Sequence, residues 1–423
     1  MITPVARFAV RYAVPVLVGW AIIVVAFALI GRGVEDKVQP SLLFIPGTES
    51  SDWRDVREGS FNEGLIVLLA GPAREIERQG PQLADALQRR AGTRAISAWS
   101  PRAKQVEALR PSPREAAISI DLRIPPGGNI NTVIGPLEDF VQARVDPPIR
   151  AHLAGIPALG SEVNESSIEA LHKGELIAAP ILILVLLFVF RSPVAAGVPL
   201  LIAAGTVVTG FGLISVILEF TDVDAVALSA ASMIGLALGV DYSLLIVTRF
   251  RSSLAEGHAP KQAASIAANT AGRTATFAGV VLLAIIVVAF FLSPGTVLLS
   301  MALGMGVVTV LSMIGAIVVT PAATSLLGHR INKWQIGGAP TDDGGAISRV
   351  VSRVSRRAAL AAGLLTALLL LTASPVLGIK TTPADPRMLP KDSDGLAAFN
   401  ALRRAHFGPE IDEIGRASCR ERV

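Results

Sequence analysis

Seven long apolar runs, separated by polar segments, limit what this chain can fold into more than any other feature of the sequence. A helix rises about 1.5 Å per residue, so it needs roughly 20 apolar residues to cross a hydrocarbon layer of about 30 Å. In lipid, only helices and closed barrels satisfy every backbone polar group. The sequence therefore predicts a polytopic α-helical membrane protein with about seven transmembrane helices, at residues 12–30, 175–190, 193–218, 225–247, 275–292, 297–327 and 358–377.

The composition agrees with this class, since 51% of the 423 residues are hydrophobic and 17% are charged. The net charge of +4 is too small to indicate a nucleic-acid-binding fold, so no nucleic-acid partner is expected. A cleaved signal peptide is the competing interpretation of residues 12–30. That run is too long for the apolar core of a typical signal peptide and no clean A-x-A site follows it, which favours a retained span.

The segment at residues 31–173 is polar, because prolines, charges and short periodic runs replace the long apolar runs. Its pattern predicts the order β-α-β-β-α-β, which is that of a ferredoxin-like α+β unit. His152 and His172 have no companion at metal-ligand spacing, so no metal site is expected. The predicted strands lie at 64–70, 94–99, 116–124 and 152–159, and the predicted helices at 82–90 and 132–145.

Lysine and arginine residues fall in alternate loops between the predicted spans, and this asymmetry predicts the orientation. With the N-terminus in the cytoplasm, the basic loops lie inside, and the short outside loops carry Glu219, Asp222 and Asp224 without lysine or arginine. The segment at 31–173 is then extracytoplasmic, and we expect the chain in a bacterial cytoplasmic membrane. Arg249 and Arg251 are expected to anchor the inside surface, with lipid or partner binding as the alternative.

The end of the sequence repeats its start. A flexible linker at 337–345 leads to basic residues, a span and a polar segment, in the same order as at the N-terminus. Parallel repeats of this kind are typical of transporters built from two like halves. The predicted division is a first transmembrane helix at 1–30, an extracytoplasmic domain at 31–173, a five-helix bundle at 174–327, a cytoplasmic linker at 328–357, a seventh helix at 358–377 and the start of a second extracytoplasmic domain at 378–412.

Residues 413–423 read EIGRASCRERV and contain Cys419, the single cysteine of the chain. This string looks like the translation of a sequencing adapter, and we expect it to play no part in the fold. An ordinary polar tail is the alternative. On the first interpretation the chain is a fragment, and the second half of the same polypeptide is its principal missing partner.

Asp241 and Tyr242 lie inside the apolar run at 225–247. A carboxylate at that depth costs about 2.5–3.5 kcal/mol on insertion scales, and such residues normally face a bundle interior or an ion path. We expect Asp241 in apolar surroundings, where it could take up and release a proton, with a tyrosine hydroxyl as its hydrogen-bonding partner. A carboxyl that a neighbouring helix satisfies, with no transport, is the alternative. Gly235 and Gly239 lie four residues apart on one face and are expected to let another helix approach.

These residues also carry a family resemblance. The stretches GLALGVDYSLLIVTRFRSSLAEG and AANTAGRTATFAGVVLLAIIVV closely resemble the fourth and fifth spans of the MMPL branch of the resistance–nodulation–division (RND) superfamily. The likeness covers nearly all of residues 1–412. It implies proton-driven export of lipids, lipid-linked products or drugs. It also implies that Asp241 and Tyr242 are the first of two facing Asp–Tyr pairs, the second of which belongs to the half that this chain lacks.

Motifs for nucleotide binding and hydrolysis are absent from the sequence, which has no Gly-Lys dipeptide, no H-E-x-x-H and no G-x-S-x-G. We therefore expect no enzyme, no catalytic residues and no cofactor. Two functions remain: proton-motive-force-driven export of a lipid, lipid-linked or other hydrophobic small molecule, and a non-transporting receptor or scaffold of the same fold. Protons, membrane lipids and the hydrophobic substrate are the expected partners, and the sequence leaves a homo-oligomer open.

Overall fold

The computed structural model describes residues 2–38, 63–90, 93–100, 109–110, 112–122, 131–221, 223–292, 296–334 and 354–374, together with 393, 396–397 and 400. The helices and strands in these ranges are, in chain order, α1 (Ile2–Arg11), α2 (Ala13–Ile30), α3 (Val34–Lys37), β1 (Glu63–Ala70), α4 (Ala73–Arg89), β2 (Thr93–Ser97), β3 (Glu115–Leu122), α5 (Asn131–Gln142), β4 (Arg150–Ala154), α6 (Ile156–Phe190), α7 (Pro193–Ile217), α8 (Val226–Ala255), α9 (Pro260–Leu292), α10 (Thr296–Ile314), a π-helix (Gly315–Val319), α11 (Thr320–Leu327), a 3-10 helix (Gly328–Asn332) and α12 (Ala358–Ala373).

The polar segment folds into a four-stranded antiparallel sheet with strand order β2-β3-β1-β4. Side chains alternate along a strand, so Leu65, Val67 and Leu69 of β1 share one face, and both α4 and α5 pack on that face. In the centre of the sheet, Val67 pairs with Ile118 of β3 on one side and with Leu153 of β4 on the other. This arrangement confirms the predicted ferredoxin-like order of strands and helices.

The prediction that α4 begins at Gln82 is wrong, since the helix begins at Ala73 and continues through Gly80 and Pro81. The Trp99 ring lies directly against the backbone at Gly80, where any side chain would collide with it. The glycine is therefore a packing residue inside the helix. Proline removes one backbone donor, and the buried apolar face of α4 compensates for that loss.

The last predicted strand is also shorter than expected, because β4 ends at Ala154 and α6 follows almost at once. Gly155 separates the two elements with a φ of 120°, a conformation that favours glycine. The chain turns there directly from the sheet into a helix of 35 residues that continues as the second span.

Within the described residues, six helices are long and apolar enough to cross a membrane, and they confirm a polytopic helical membrane protein. They correspond to the first six predicted spans. The predicted seventh span is helical over Ala358–Ala373, and residues 375–377 of it lie outside the described residues. The six are Ala13–Ile30, Ile168–Phe190, Pro193–Ile217, Val226–Ala255, Pro260–Leu292 and Val297–Asn332.

Helix α8 lies at the centre of the bundle and packs against α7, α9 and α10. The residues it buries are mostly small, which allows the helix backbones to approach closely. Five residues of π-helix, Gly315–Val319, interrupt the helix that runs from α10 to α11. π-Helical segments are rare in proteins, and those that do occur are often found at functional sites.

Three predictions fall on residues that are not described. The linker at 337–345 and the segment at 413–423 lie wholly outside the described ranges, and nearly all of the second polar segment at 378–412 does too. These assignments stay predictions, as do the proposed domain boundaries.

Candidate functional site

Two glycines of α8 determine how closely its neighbours approach the candidate site. A Cβ atom added at Gly239 would lie 2.7 Å from Cα of Ala203 on α7, and one added at Gly235 would lie 3.2 Å from side-chain atoms of Val207 and Val308. Helix α7 therefore lies against the backbone of α8 at Gly239, and α7 and α10 both contact it at Gly235. The side of α8 that carries these glycines is fully occupied.

Asp241 lies on another side of α8, and its side chain is exposed in the part of the chain that the structure describes. The residues one or two helical turns away on that side are exposed too, because residues spaced by three or four share one face of a helix. We call this surface the Asp241 face. It consists of Met233, Ala237, Asp241, Leu245 and Thr248.

The expectation of apolar surroundings for Asp241 stays a prediction, because this chain by itself does not enclose the carboxylate. Helices α7, α9 and α10 cover the remaining sides of α8 and leave the Asp241 face open. Among the described residues, the Asp241 carboxylate makes no hydrogen bond and no ion pair. The hydropathy of the sequence could not have predicted this exposure of Asp241. Hydropathy shows where along a span a residue lies, but not which side of the helix carries its side chain.

Tyr242 follows Asp241 in sequence but points elsewhere, since adjacent residues of a helix diverge by about 100°. Its side chain is only 6% exposed and belongs to the main apolar cluster of the bundle. Val240, Ile246 and Phe250 of the same helix are members of that cluster. The structure therefore places Asp241 and Tyr242, the two candidate proton-relay residues, on different sides of α8.

A line of buried hydroxyl groups connects α8 to the π-helix, and sequence analysis did not identify it. The hydroxyl of Thr320 donates to the Gly315 carbonyl oxygen at 3.0 Å and contacts the hydroxyl of Ser243 at 3.3 Å. Thr209 and Ser312 are also buried, and their hydroxyl groups have no hydrogen-bond partner within the described residues. Unpaired hydroxyls of this kind are costly in a dry interior, by about 1–3 kcal/mol each.

A second carboxylate lies in a membrane-crossing helix. Glu175 of α6 accepts a hydrogen bond from the hydroxyl of Ser232 on α8. Both residues belong to helices that are long and apolar enough to cross a membrane. Glu175 is the first residue of the predicted span at 175–190, so the sequence places it at the edge of an apolar run, unlike Asp241.

Basic residues gather at one end of the bundle, which we call the basic end: α2 and α7 begin there and α11 ends there. Arg251 of α8 donates to the carbonyl oxygen of Phe190 and to Oδ1 of Asn332, each at 2.8 Å. The Ser192 hydroxyl donates to the Ile331 carbonyl oxygen at 2.7 Å. Arg251, predicted to be a surface anchor, therefore also joins the ends of three elements.

The fold and the site together define a multi-pass helical membrane protein with a small α/β domain between its first two spans and a carboxylate within a central span. Residues 75–360 match the MMPL family, so the chain belongs to that family. This confirms the resemblance that the sequence around Asp241 carries.

The chain is similar to several proteins of the family. It is 28% identical over 97% of its length to SCO6666 of Streptomyces coelicolor, which is named only as a membrane protein. It is 34% identical over 43% of its length to the trehalose monomycolate exporter MmpL3 of Mycolicibacterium smegmatis. It is 32% identical over 49% of its length to a protein of Mycobacterium leprae named as the transport protein MmpL11. The chain spans 58%, 18% and 20% of these relatives respectively.

Proposed function

We propose that this chain is part of a transporter that exports a lipid, a lipid-linked product or another hydrophobic small molecule, and that the proton-motive force drives it. The family assignment and the naming of one relative as a lipid exporter support the class of substrate. Family membership favours a transporter over an enzyme.

The observation that carries the proposal is the position of Asp241. A carboxylate is expensive at the middle of a span unless a polar partner or water reaches it. The Asp241 carboxylate lies on an exposed face and can meet such a partner there, whereas a carboxylate enclosed between two packed helices could not. The Asp241 face is apolar apart from Asp241 and Thr248, so a second helix bundle that packs on it would enclose the carboxylate and supply its partner.

The proposed orientation has the N-terminus and the basic end in the cytoplasm, in a bacterial cytoplasmic membrane. The arginines and lysines of the basic end support it, because positive residues are enriched on the cytoplasmic side. The α/β unit then lies outside the membrane and is joined to the bundle by α6. In that position a substrate that leaves the membrane would meet it.

The experiment replaces Asp241 by asparagine in a polypeptide that has the full length of the relatives. In vesicles loaded with a fluorescent lipid analogue and given a pH gradient, Asp241→Asn should reduce export to the level of protein-free vesicles. The amide keeps the size of the carboxyl and cannot exchange a proton. Ala237→Asn, which places an amide one turn away on the same face, is the matched control and should keep export.

A non-transporting receptor or scaffold is the second candidate. It is favoured by the absence of any ion pair for Asp241 among the described residues. Equal export by the wild type and Asp241→Asn would contradict the relay. A correctly inserted wild type that moves no probe under the gradient would favour the scaffold.

A further inference from the structure

A cleft of about 380 Å³ opens at the basic end of the bundle, between α2, α7 and α11. Leu17 and Trp20 of α2 form one wall, Leu201 of α7 forms another, and Leu326 of α11 lies nearer the rim. Leu201 is 75% exposed, so the cleft opens sideways from the bundle. No residue of α8 lines it, which separates it from the Asp241 face.

One charged residue, Arg330, completes the lining, and it lies in the 3-10 helix at the rim. Its side chain is exposed and has no acidic partner among the residues that the structure describes. Lys333 and Trp334 follow it, with the Lys333 ammonium 5.1 Å from the centre of the Trp334 ring. The lining of the cleft therefore carries one cation, Arg330, and is otherwise apolar.

The dimensions of the cleft match a chain molecule. Val319 and Arg330 both line it, and the eight residues of α11 that lie between them span roughly 12 Å at 1.5 Å per residue. The Val319 side chain is buried and Leu326 is exposed, so the lining runs from the interior of the bundle to its surface. A long apolar chain with a negative charge at one end complements such a site in both shape and charge.

A membrane lipid is the molecule of that description which surrounds these helices. Arginine binds phosphate through a planar fork of donors, and each basic residue near an anionic lipid surface contributes about 1 kcal/mol of attraction.

We propose that this cleft binds one acyl chain of an anionic glycerophospholipid, with the lipid phosphate held by Arg330. The lipid would fill the gap between the first span and the ends of α7 and α11. The proposal depends neither on proton coupling nor on transport, because it rests on different residues.

The experiment measures retained lipid by native mass spectrometry. The chain is purified in a non-ionic detergent and mixed with equal amounts of phosphatidylglycerol and phosphatidylethanolamine that have the same acyl chains. The wild type should retain phosphatidylglycerol preferentially, and Arg330→Gln should lower that preference about fivefold. Leu201→Trp fills the opening with a bulkier side chain and should reduce retention of both lipids. Since Leu201 is on the surface, this change does not disturb the core.

Two matched controls belong with these variants. Arg357→Gln removes an exposed arginine elsewhere, and Leu184→Trp enlarges an exposed leucine of α6; neither should change retention. An unchanged lipid preference in Arg330→Gln, or unchanged retention in Leu201→Trp, would overturn the proposal.

Fluorescence locates the lipid. Phosphatidylglycerol with a brominated acyl chain should quench Trp20 in reconstituted vesicles, and brominated phosphatidylethanolamine should quench it less. Subtracting the signal of Trp20→Phe removes the contribution of the other three tryptophans. Equal quenching by the two lipids, or none, would mean that bulk lipid or a protein segment covers the cleft.

Discussion

The α/β unit and the membrane bundle differ in how small and large side chains are divided between core and surface. The core of the α/β unit is built mainly from large aliphatic residues, among them Leu65, Leu83, Ile118 and Leu137, which are almost completely buried. The bundle buries some large side chains, such as Phe190 and Phe250, but many of its buried residues are small. The small ones include Ala195, Ala196, Ala203, Gly235, Gly239, Ala263, Ala264, Ala267 and Ala316.

Many large apolar residues of the bundle lie on its surface, as Phe188, Leu201 and Phe277 illustrate. In water, burial of apolar area is the main favourable term, so large side chains go inside. Lipid is as apolar as leucine, and helices in it associate through close packing and hydrogen bonds instead. The difference teaches that a large apolar side chain indicates burial in the α/β unit but not in the bundle, where such side chains lie both inside and on the surface.

Truncation of a large side chain should therefore be costly in the core of the α/β unit, but not at the many exposed positions where the bundle carries such side chains. Leu137→Ala leaves a cavity at a residue that is 0% exposed, and should lower the free energy of unfolding of this unit by about 2–5 kcal/mol. Hydrogen exchange of the peptides that cover residues 63–154, measured in the intact chain, reports this loss. Leu184→Ala, at a leucine of the bundle that is 66% exposed, is the control and should leave exchange unchanged. Similar effects of the two variants would refute the comparison.

Enlargement of a small side chain should be costly in the bundle. Gly239→Ala places a methyl group 2.7 Å from Cα of Ala203 and should destabilise the bundle by about 1–3 kcal/mol. At Gly197 of α7, an added Cβ would meet no described atom within 4 Å. Gly197→Ala should then stabilise the helix by about 0.5–1 kcal/mol. Far-UV circular dichroism during titration with sodium dodecyl sulphate measures both, and a stabilising Gly239→Ala would contradict the packing.

Charges should stabilise the α/β unit weakly and with a dependence on pH. The hydrogen bond from the Trp99 indole to Glu77, at 2.8 Å, and the Arg110 ion pair at 2.5 Å lower the pKa of Glu77 against a smaller opposing effect of burial. The folded pKa lies below the unfolded one. The stabilisation that the ionised Glu77 carboxylate gives to the folded state is therefore complete above the unfolded pKa, near 4.5. It is lost as the pH falls through the folded pKa.

Glu77→Gln should accordingly lower the free energy of unfolding at neutral pH by a few tenths of a kcal/mol, since the pair is half exposed. The difference from the wild type should shrink as the pH falls from neutral to about 3, because protonation of the carboxyl removes the charge that the folded state stabilises. Hydrogen exchange at the two pH values, corrected for intrinsic rates, is the measurement. A difference that grows on acidification would show that the sign is wrong.

Sequence patterns were sufficient wherever a local property decides the structure. The length and hydropathy of the apolar runs determine that the chain crosses a membrane, because lipid admits only long apolar helices. Alternation of apolar residues determines the strands, so the order of elements in the α/β unit followed from the pattern. The motif around Asp241 was sufficient to identify the family.

The tertiary structure decided everything that depends on which side of a helix meets a neighbour. Trp99 follows Gly80 only after the rest of α4 and the whole of β2, and only the folded unit shows why a glycine stands inside α4. Likewise, the position of Asp241 within a span follows from the sequence, but its exposure follows from where α7, α9 and α10 pack. The physical reason is that hydropathy adds up residue by residue, whereas packing is a property of pairs of surfaces that the chain brings together only when it folds.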